Sequence, residues 1–241
     1  MAVRKIGKTF LLMSTATLGC LHLGSWVEND NSFTIQSVKA RGNHFVATQA
    51  ILKAAQVPKG ERIFSLETAP ILERVESLPY VERAEITRIF PSTIEITVKE
   101  RQPIALINAG GLWPVDADCQ VLPRLKSTMQ MDLPLVSGIA LRQEDGMPKL
   151  TPAASRVIEF ISQVKANHSL LFHQISEFHF GKDEQLVLYM MNRGVPAYLG
   201  KQQWLEKCDR LLAVLKLPQK EAKTATIDLR FENLVITRGE S

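Results

Sequence analysis

The sequence predicts an α+β protein: an N-terminal transmembrane helix, then a β-α-α-β-β domain, then a mixed α/β domain on one curved sheet. Three observations carry this. Residues 10–27 form an uncharged, mostly apolar run. Residues 93–99 (TIEITVK) alternate apolar and polar side chains almost without error, the period of a half-buried strand. Beyond them, short segments with helical or strand spacing follow one another, separated by Pro, Gly and Asn turns.

Taken in chain order, residues 1–9 are a short tail bearing Arg4, Lys5 and Lys8 and no acid. The run from Phe10 to Val27 includes Phe10, Leu11, Leu12, Leu18, Leu21 and Leu23 and closes with Trp26 and Val27. As a helix its eighteen residues reach about 27 Å, enough for a hydrocarbon core. Basic residues before it and Glu28 and Asp30 after it predict a cytoplasmic N-terminus and an exported remainder, with Trp26 at the interface. A cleaved signal peptide and a lipoprotein signal ending at Cys20 stay open as alternatives; both export the rest of the chain.

Residues 32–101 make the first exported domain. Phe33–Val38 alternates like a strand, and Arg41-Gly42-Asn43 reads as a turn. Thr48 is placed to cap a helix running to Ala55, ended by Pro58-Lys59-Gly60. A second helix opens at Thr68 with Pro70 in its first turn and an Ile71, Leu72, Val75, Leu78 stripe. Val81–Phe90 and Thr93–Lys99 are strands joined at Pro91-Ser92, so the two helices should cover one face of a three-stranded sheet. Glu100 and Arg101 read as a strand-end ion pair or as solvated charges.

Residues 102–241 make the second. Ile104–Ile107 and Leu112–Val115 flank an Asn-Ala-Gly-Gly turn. Thr151 caps a helix that has Pro152 at its first position and runs to about Asn167. Ile175–Phe180, Gln185–Met191 and Val195–Leu199 read as consecutive strands. A helix over Lys201–Leu215 presents Trp204, Leu205, Cys208, Leu211, Leu212 and Leu215 to the core. Thr226–Phe231 and Leu234–Arg238 close the chain as strands.

The runs VKARGN (38–43), RIFSL (62–66) and LPYVERAEITRIFPSTIEITVKERQPIA (78–105) closely resemble a POTRA domain of the FtsQ/DivIB type. ISEF (175–178), a later Leu-Gly followed by a helix with Lys207, and IDLRF (227–231) are similar in order and spacing to the second, β domain of that family. The resemblance implies a non-enzymatic, single-pass divisome scaffold at the septum. It implies partners too: the bitopic proteins FtsB and FtsL, with FtsB docking on the end of the β domain. Carried over by position, the docking edge comprises Arg230, Phe231 and the following strand, with Asn233, Val235 and Thr237.

Composition and motifs agree with a chain that does no chemistry. The net charge is +4, without a basic run, which argues against nucleic-acid binding. Three cysteines make no disulfide framework. No metal-ligand spacing, phosphate loop or nucleophile elbow occurs, so no cofactor, metal or small-molecule substrate is expected. Asp116 and Asp118 read as turn caps, and the five histidines as ordinary surface or part-buried residues. The alternative function is a periplasmic POTRA protein assisting outer-membrane protein assembly or export. Such proteins usually continue into a β-barrel, for which the sequence leaves no room. A cell-wall hydrolase is a third, enzymatic reading.

Overall fold

The computed structural model describes residues 31–124, 131–144, 146–191, 194–216, 224–231 and 235–239. The expected anchor, residues 10–27, lies outside them, as does Asn233. Among the described residues no helix is long and apolar enough to cross a membrane. The chain divides between Arg101 and Gln102 into two compact units.

The first unit opens with a 3-10 turn, Asn31–Phe33, followed by β1 (Ser37–Arg41), α1 (Thr48–Ala55), α2 (Ala69–Glu76), β2 (Val81–Ile89) and β3 (Thr93–Glu100). The sheet order is β1-β3-β2, with β1 parallel and β2 antiparallel to the central β3. Ile94, Ile96 and Val98 of β3 are buried with Ile51, Ala55, Ile71 and Val75 of the two helices. Each helix thus buries one side chain per turn on a single stripe.

Three expectations shift here. The first strand begins at Ser37 rather than Phe33. The Ile35 N–H goes to Glu61 O at 2.8 Å and Ile35 O accepts from Gly60 N–H at 2.9 Å, so this stretch pairs with a loop before joining the sheet. Thr48 is the first helical residue, not the cap; Ala47 stands at that position in extended conformation, without a side-chain cap. The helix stops at Ala55 because Gln56 turns left-handed, at φ 47°. Arg74 satisfies the last carbonyls of the helix, donating to Ala55 O at 2.7 Å and Ala54 O at 3.2 Å, as a cation at a helix C-terminus can.

The second unit contains β4 (Pro103–Asn108), β5 (Leu112–Asp116), β6 (Leu135–Ser137), a separate hairpin of β7 (Leu141–Glu144) and β8 (Met147–Leu150), then α3 (Pro152–Asn167) and α4 (Ser169–Phe172). Next come β9 (Ile175–Phe180), β10 (Leu186–Met190), β11 (Pro196–Gly200), α5 (Trp204–Leu215), β12 (Thr224–Asp228) and β13 (Ile236–Gly239). Eight strands form one mixed sheet in the order β13-β12-β11-β10-β9-β6-β4-β5. α3 begins as its sequence directs: the Thr151 hydroxyl accepts from Ala154 N–H at 3.3 Å, with Pro in the first turn. Val157, Ile158, Ile161 and Val164 pack into a core shared with Phe178, Leu188 and Leu211. Edge-to-face rings bind the layers, Phe160 to Trp204 at 5.5 Å and to Phe178 at 6.2 Å, a geometry aromatic pairs favour.

α5 starts at Trp204 rather than Lys201, because Gln203 sits left-handed at φ 55° and forces a corner. β12 spans Thr224–Asp228 rather than Thr226–Phe231. Cys119 and Cys208 are both free thiols, and burial pushes the Cys208 thiol up to about 12.

Candidate functional site

The two ends of the large sheet differ. At the β5 end the edge is covered by the chain that follows it. Leu122 N–H bonds to Pro114 O at 2.8 Å, Asp116 N–H bonds to Gln120 O at 3.1 Å, and Val115 pairs with Val121. The Asp116 carboxylate fixes this strap by accepting from Asp118 N–H at 3.0 Å and Gln120 N–H at 2.8 Å. Asp116 is therefore a turn cap, its Oδ1 accepting from both backbone donors.

At the other end lies β13. It pairs antiparallel with β12, Ile227 opposite Thr237 and Asp228 opposite Ile236, and among the described residues it has no second neighbour. An edge strand presents a row of main-chain donors and acceptors unless it is covered, bulged or charged.

Four of the candidate residues lie in or beside this edge in different ways. Thr237 is within β13 and exposed. Val235 stands just before the strand, with its side chain packed on the core. Phe231 is exposed on the connection between the strands. Arg230 lies on the same connection, past the end of β12. The strand stops at Asp228 because its carboxylate accepts from Arg230 N–H at 3.0 Å, closing an Asx turn. The same carboxylate holds the Arg230 guanidinium, at 2.9 Å to Nε and 2.6 Å to Nη2, and this hydrogen bonding keeps the guanidinium even more firmly protonated than usual. Arg230 lies over the Tyr198 ring at 5.3 Å, a cation–π placement. Arg210 of α5 donates to Phe231 O at 3.0 Å. The connection is thus tied at both residues, and Phe231 is held out as an apolar side chain.

Comparison with known proteins agrees with this architecture. Residues 33–101 match the family described as POTRA domain, FtsQ-type, and residues 105–230 match the family described as cell division protein FtsQ/DivIB, C-terminal. The chain belongs to the FtsQ/DivIB family of cell division proteins. It is similar to Cell division protein FtsQ of Geotalea daltonii, 29% identical over 231 residues, which span 92% of this chain and 82% of that one. FtsQ of Syntrophotalea carbinolica is 24% identical over 230 residues, 92% of this chain and 80% of the relative. Cell division protein DivIB of Clostridium acetobutylicum is 29% identical over 133 residues, 55% and 53% of the two chains.

One cluster in this FtsQ/DivIB chain has the composition of an acid–base site. Ser137 of β6 meets Glu177 and His179 of β9. Its hydroxyl donates to the Glu177 carboxylate and stands 2.7 Å from His179 Nδ1. A serine nucleophile gives its proton to the histidine; here that proton points at a carboxylate, so the hydroxyl is held as a bridge. Among the described residues no group of three or more His, Cys, Asp or Glu side chains is arranged to hold a metal ion.

Lys207, singled out above only by the family resemblance, has a structural part here. Lys207 is 6% exposed, and its ammonium donates to Leu199 O at 2.7 Å and Gln202 O at 2.8 Å. It ties the end of β11 to the start of α5, beside the strand that carries Tyr198. Apart from that resemblance, its signal in the sequence is a lone lysine among Trp204, Cys208 and Leu211 on the helix stripe.

Proposed function

We propose that this FtsQ/DivIB family member is a non-enzymatic scaffold of the divisome, held at the septum by a single N-terminal span. In this reading residues 10–27 cross the cell (inner) membrane, the short tail stays in the cytoplasm, and both domains act outside it. The β13 edge docks an extended strand from an FtsB-like bitopic protein, and an FtsL-like protein joins the same complex. The observation that carries the reading is the asymmetry of the eight-stranded sheet: its β5 edge is strapped by residues 120–122, while β13 has no second neighbour among the described residues. Main-chain hydrogen bonds supply affinity in strand addition, and alternate side chains supply selectivity. In this reading Thr237 belongs to the docking edge, Val235 leads into it, and Phe231 and Arg230 flank it on the connection from β12. Asn233 belongs to the same connection by sequence.

The test is proline substitution in β13. Alternate N–H groups of an antiparallel edge strand point toward and away from the neighbour. Proline is therefore placed in turn at Ile236 and at Thr237. One variant loses a ladder bond; the other loses only an outward donor. The variant that keeps native hydrogen-exchange protection in β12 should lose capture of the FtsB-like partner. Undiminished capture by both variants rejects strand docking.

A further inference from the structure

Three phenylalanines gather at one end of the first unit. Phe33 and Phe64 have ring centroids 5.4 Å apart. Phe64 and Phe90 stack at 5.2 Å with planes 27° apart. Phe64 is 51% exposed, Phe90 55%, and the adjoining Ile89 41%. Single exposed apolar residues are ordinary, whereas a contiguous exposed cluster marks a contact surface.

The rings come from three separate segments that one backbone bond and the Arg88 side chain lock together. Ile63 N–H bonds to Phe33 O at 2.9 Å. Arg88, at the end of the β2–β3 hairpin, donates to Ile63 O at 2.8 Å and Leu66 O at 2.9 Å. The cluster is thus a fixed platform made of the start of the domain, the 60–66 loop and the hairpin tip.

Its position in the sequence says what covers it. Phe33 follows Val27, the last residue of the uncharged run, by six residues. Fully extended, six residues reach about 20 Å. The platform is therefore tethered within that distance of the point where the chain leaves the apolar run. On the same loop Lys59 and Arg62 flank Glu61, all exposed, so this loop segment carries no net negative charge to repel anionic headgroups.

We propose that the Phe33–Phe64–Phe90 platform rests on the outer surface of the bilayer, its exposed rings dipping into the interfacial layer beside the anchor. The inference rests on residues 10–27 being a membrane span. Aromatic side chains gain from this layer, and each buried ring adds apolar area to the contact. The platform then fixes the orientation of the POTRA domain at the membrane, which a bare tether would leave free.

The test uses the full chain in phosphatidylcholine–phosphatidylglycerol vesicles, with Phe64→Trp as a reporter at an already exposed site. Fluorescence is compared between ordinary lipids and lipids brominated near the carbonyl end of the acyl chains, and the signal of the unsubstituted chain is subtracted. The proposal expects a blue-shifted reporter emission that bromine quenches, and weaker quenching when Phe90→Ser is added. A chain that survives an alkaline wash in the vesicles, but whose reporter emits as if in water and ignores bromine, overturns this proposal and leaves the anchor intact. A chain that washes off overturns both. A reporter untouched by bromine but shielded from aqueous quencher only when a division partner is added also overturns it, and assigns the platform to a protein.

Discussion

The Glu100 carboxylate accepts the Val46 backbone N–H at 2.7 Å. The other carboxylate oxygen takes His44 N–H at 2.7 Å and Phe45 N–H at 2.8 Å. Glu100 is 5% exposed at the last position of β3. It fastens the loop ahead of α1 to the central strand of the POTRA sheet, so the expectation of a solvated charge gives way to a buried clamp. Glu100→Ala removes the acceptors and leaves three backbone donors to find others, which should cost roughly 2–4 kcal/mol. Hydrogen exchange should lose protection first at residues 44–46. Glu100→Gln should recover only part of the loss, because its amide nitrogen cannot accept.

Gly138 and Gly194 both have positive φ, at 77° and 64°, but they differ in surroundings. A methyl group on Gly138 would stand 2.1 Å from Phe180 O, whereas among the described residues nothing lies within 4 Å of one on Gly194. Gly194→Ala should cost about 1 kcal/mol, the strain of a left-handed residue alone. Gly138→Ala must also push β6 away from β9 and should cost more than about 3 kcal/mol. Chemical denaturation of the two variants side by side reads the difference.

The Asp228–Arg230 pair separates a charge contact from a turn. Asp228→Asn keeps an oxygen for Arg230 N–H, so the turn survives and only the ion pair is lost. Partly exposed pairs contribute little, and this change should cost less than about 1 kcal/mol. Asp228→Ala loses the turn as well and should cost about 1 kcal/mol more. If the connection shapes the docking edge, capture of the FtsB-like partner should fall more in the alanine variant than in the asparagine variant.

Much of this architecture was legible because the strand and helix periods run through it cleanly. Ile94, Ile96 and Val98 fell on one face by alternation, and Thr151-Pro152 marked a helix start by its chemistry. The same alternation puts Glu100 on the inward face, two residues after Val98. A charged residue at a domain junction was read by its type, and its parity was overlooked. The β7–β8 hairpin was missed because Leu141–Glu144 carries one apolar residue in four and pairs outside the main sheet. The end of β12 was missed because an Asx turn at Asp228 looks, in sequence, like one more polar position in an alternating strand. The open sheet edge is legible only in part: strand identity follows from β-branched spacing, but whether an edge is strapped depends on contacts between distant segments, as at Leu122 and Pro114.

Tyr80 gives the POTRA domain an alkaline limit. Its side chain is 6% exposed, with its ring 5.5 Å from that of Phe45, and burial pushes the phenol up from 10.0 to about 12. Burial disfavours the phenolate, so the folded domain holds this proton more tightly than the unfolded chain does. Below pH 10 both states are protonated and the contribution is fully present. Between pH 10 and 12 the unfolded chain releases the proton first, and stability falls as pH rises, by up to roughly 2 kcal/mol. Tyr80→Phe removes the titrating group. Denaturant midpoints of the POTRA domain, followed between pH 9 and pH 12 by the exchange of its β2 amides, should fall steeply in the natural chain and more gently in the variant. Equal slopes would assign the alkaline loss to other groups.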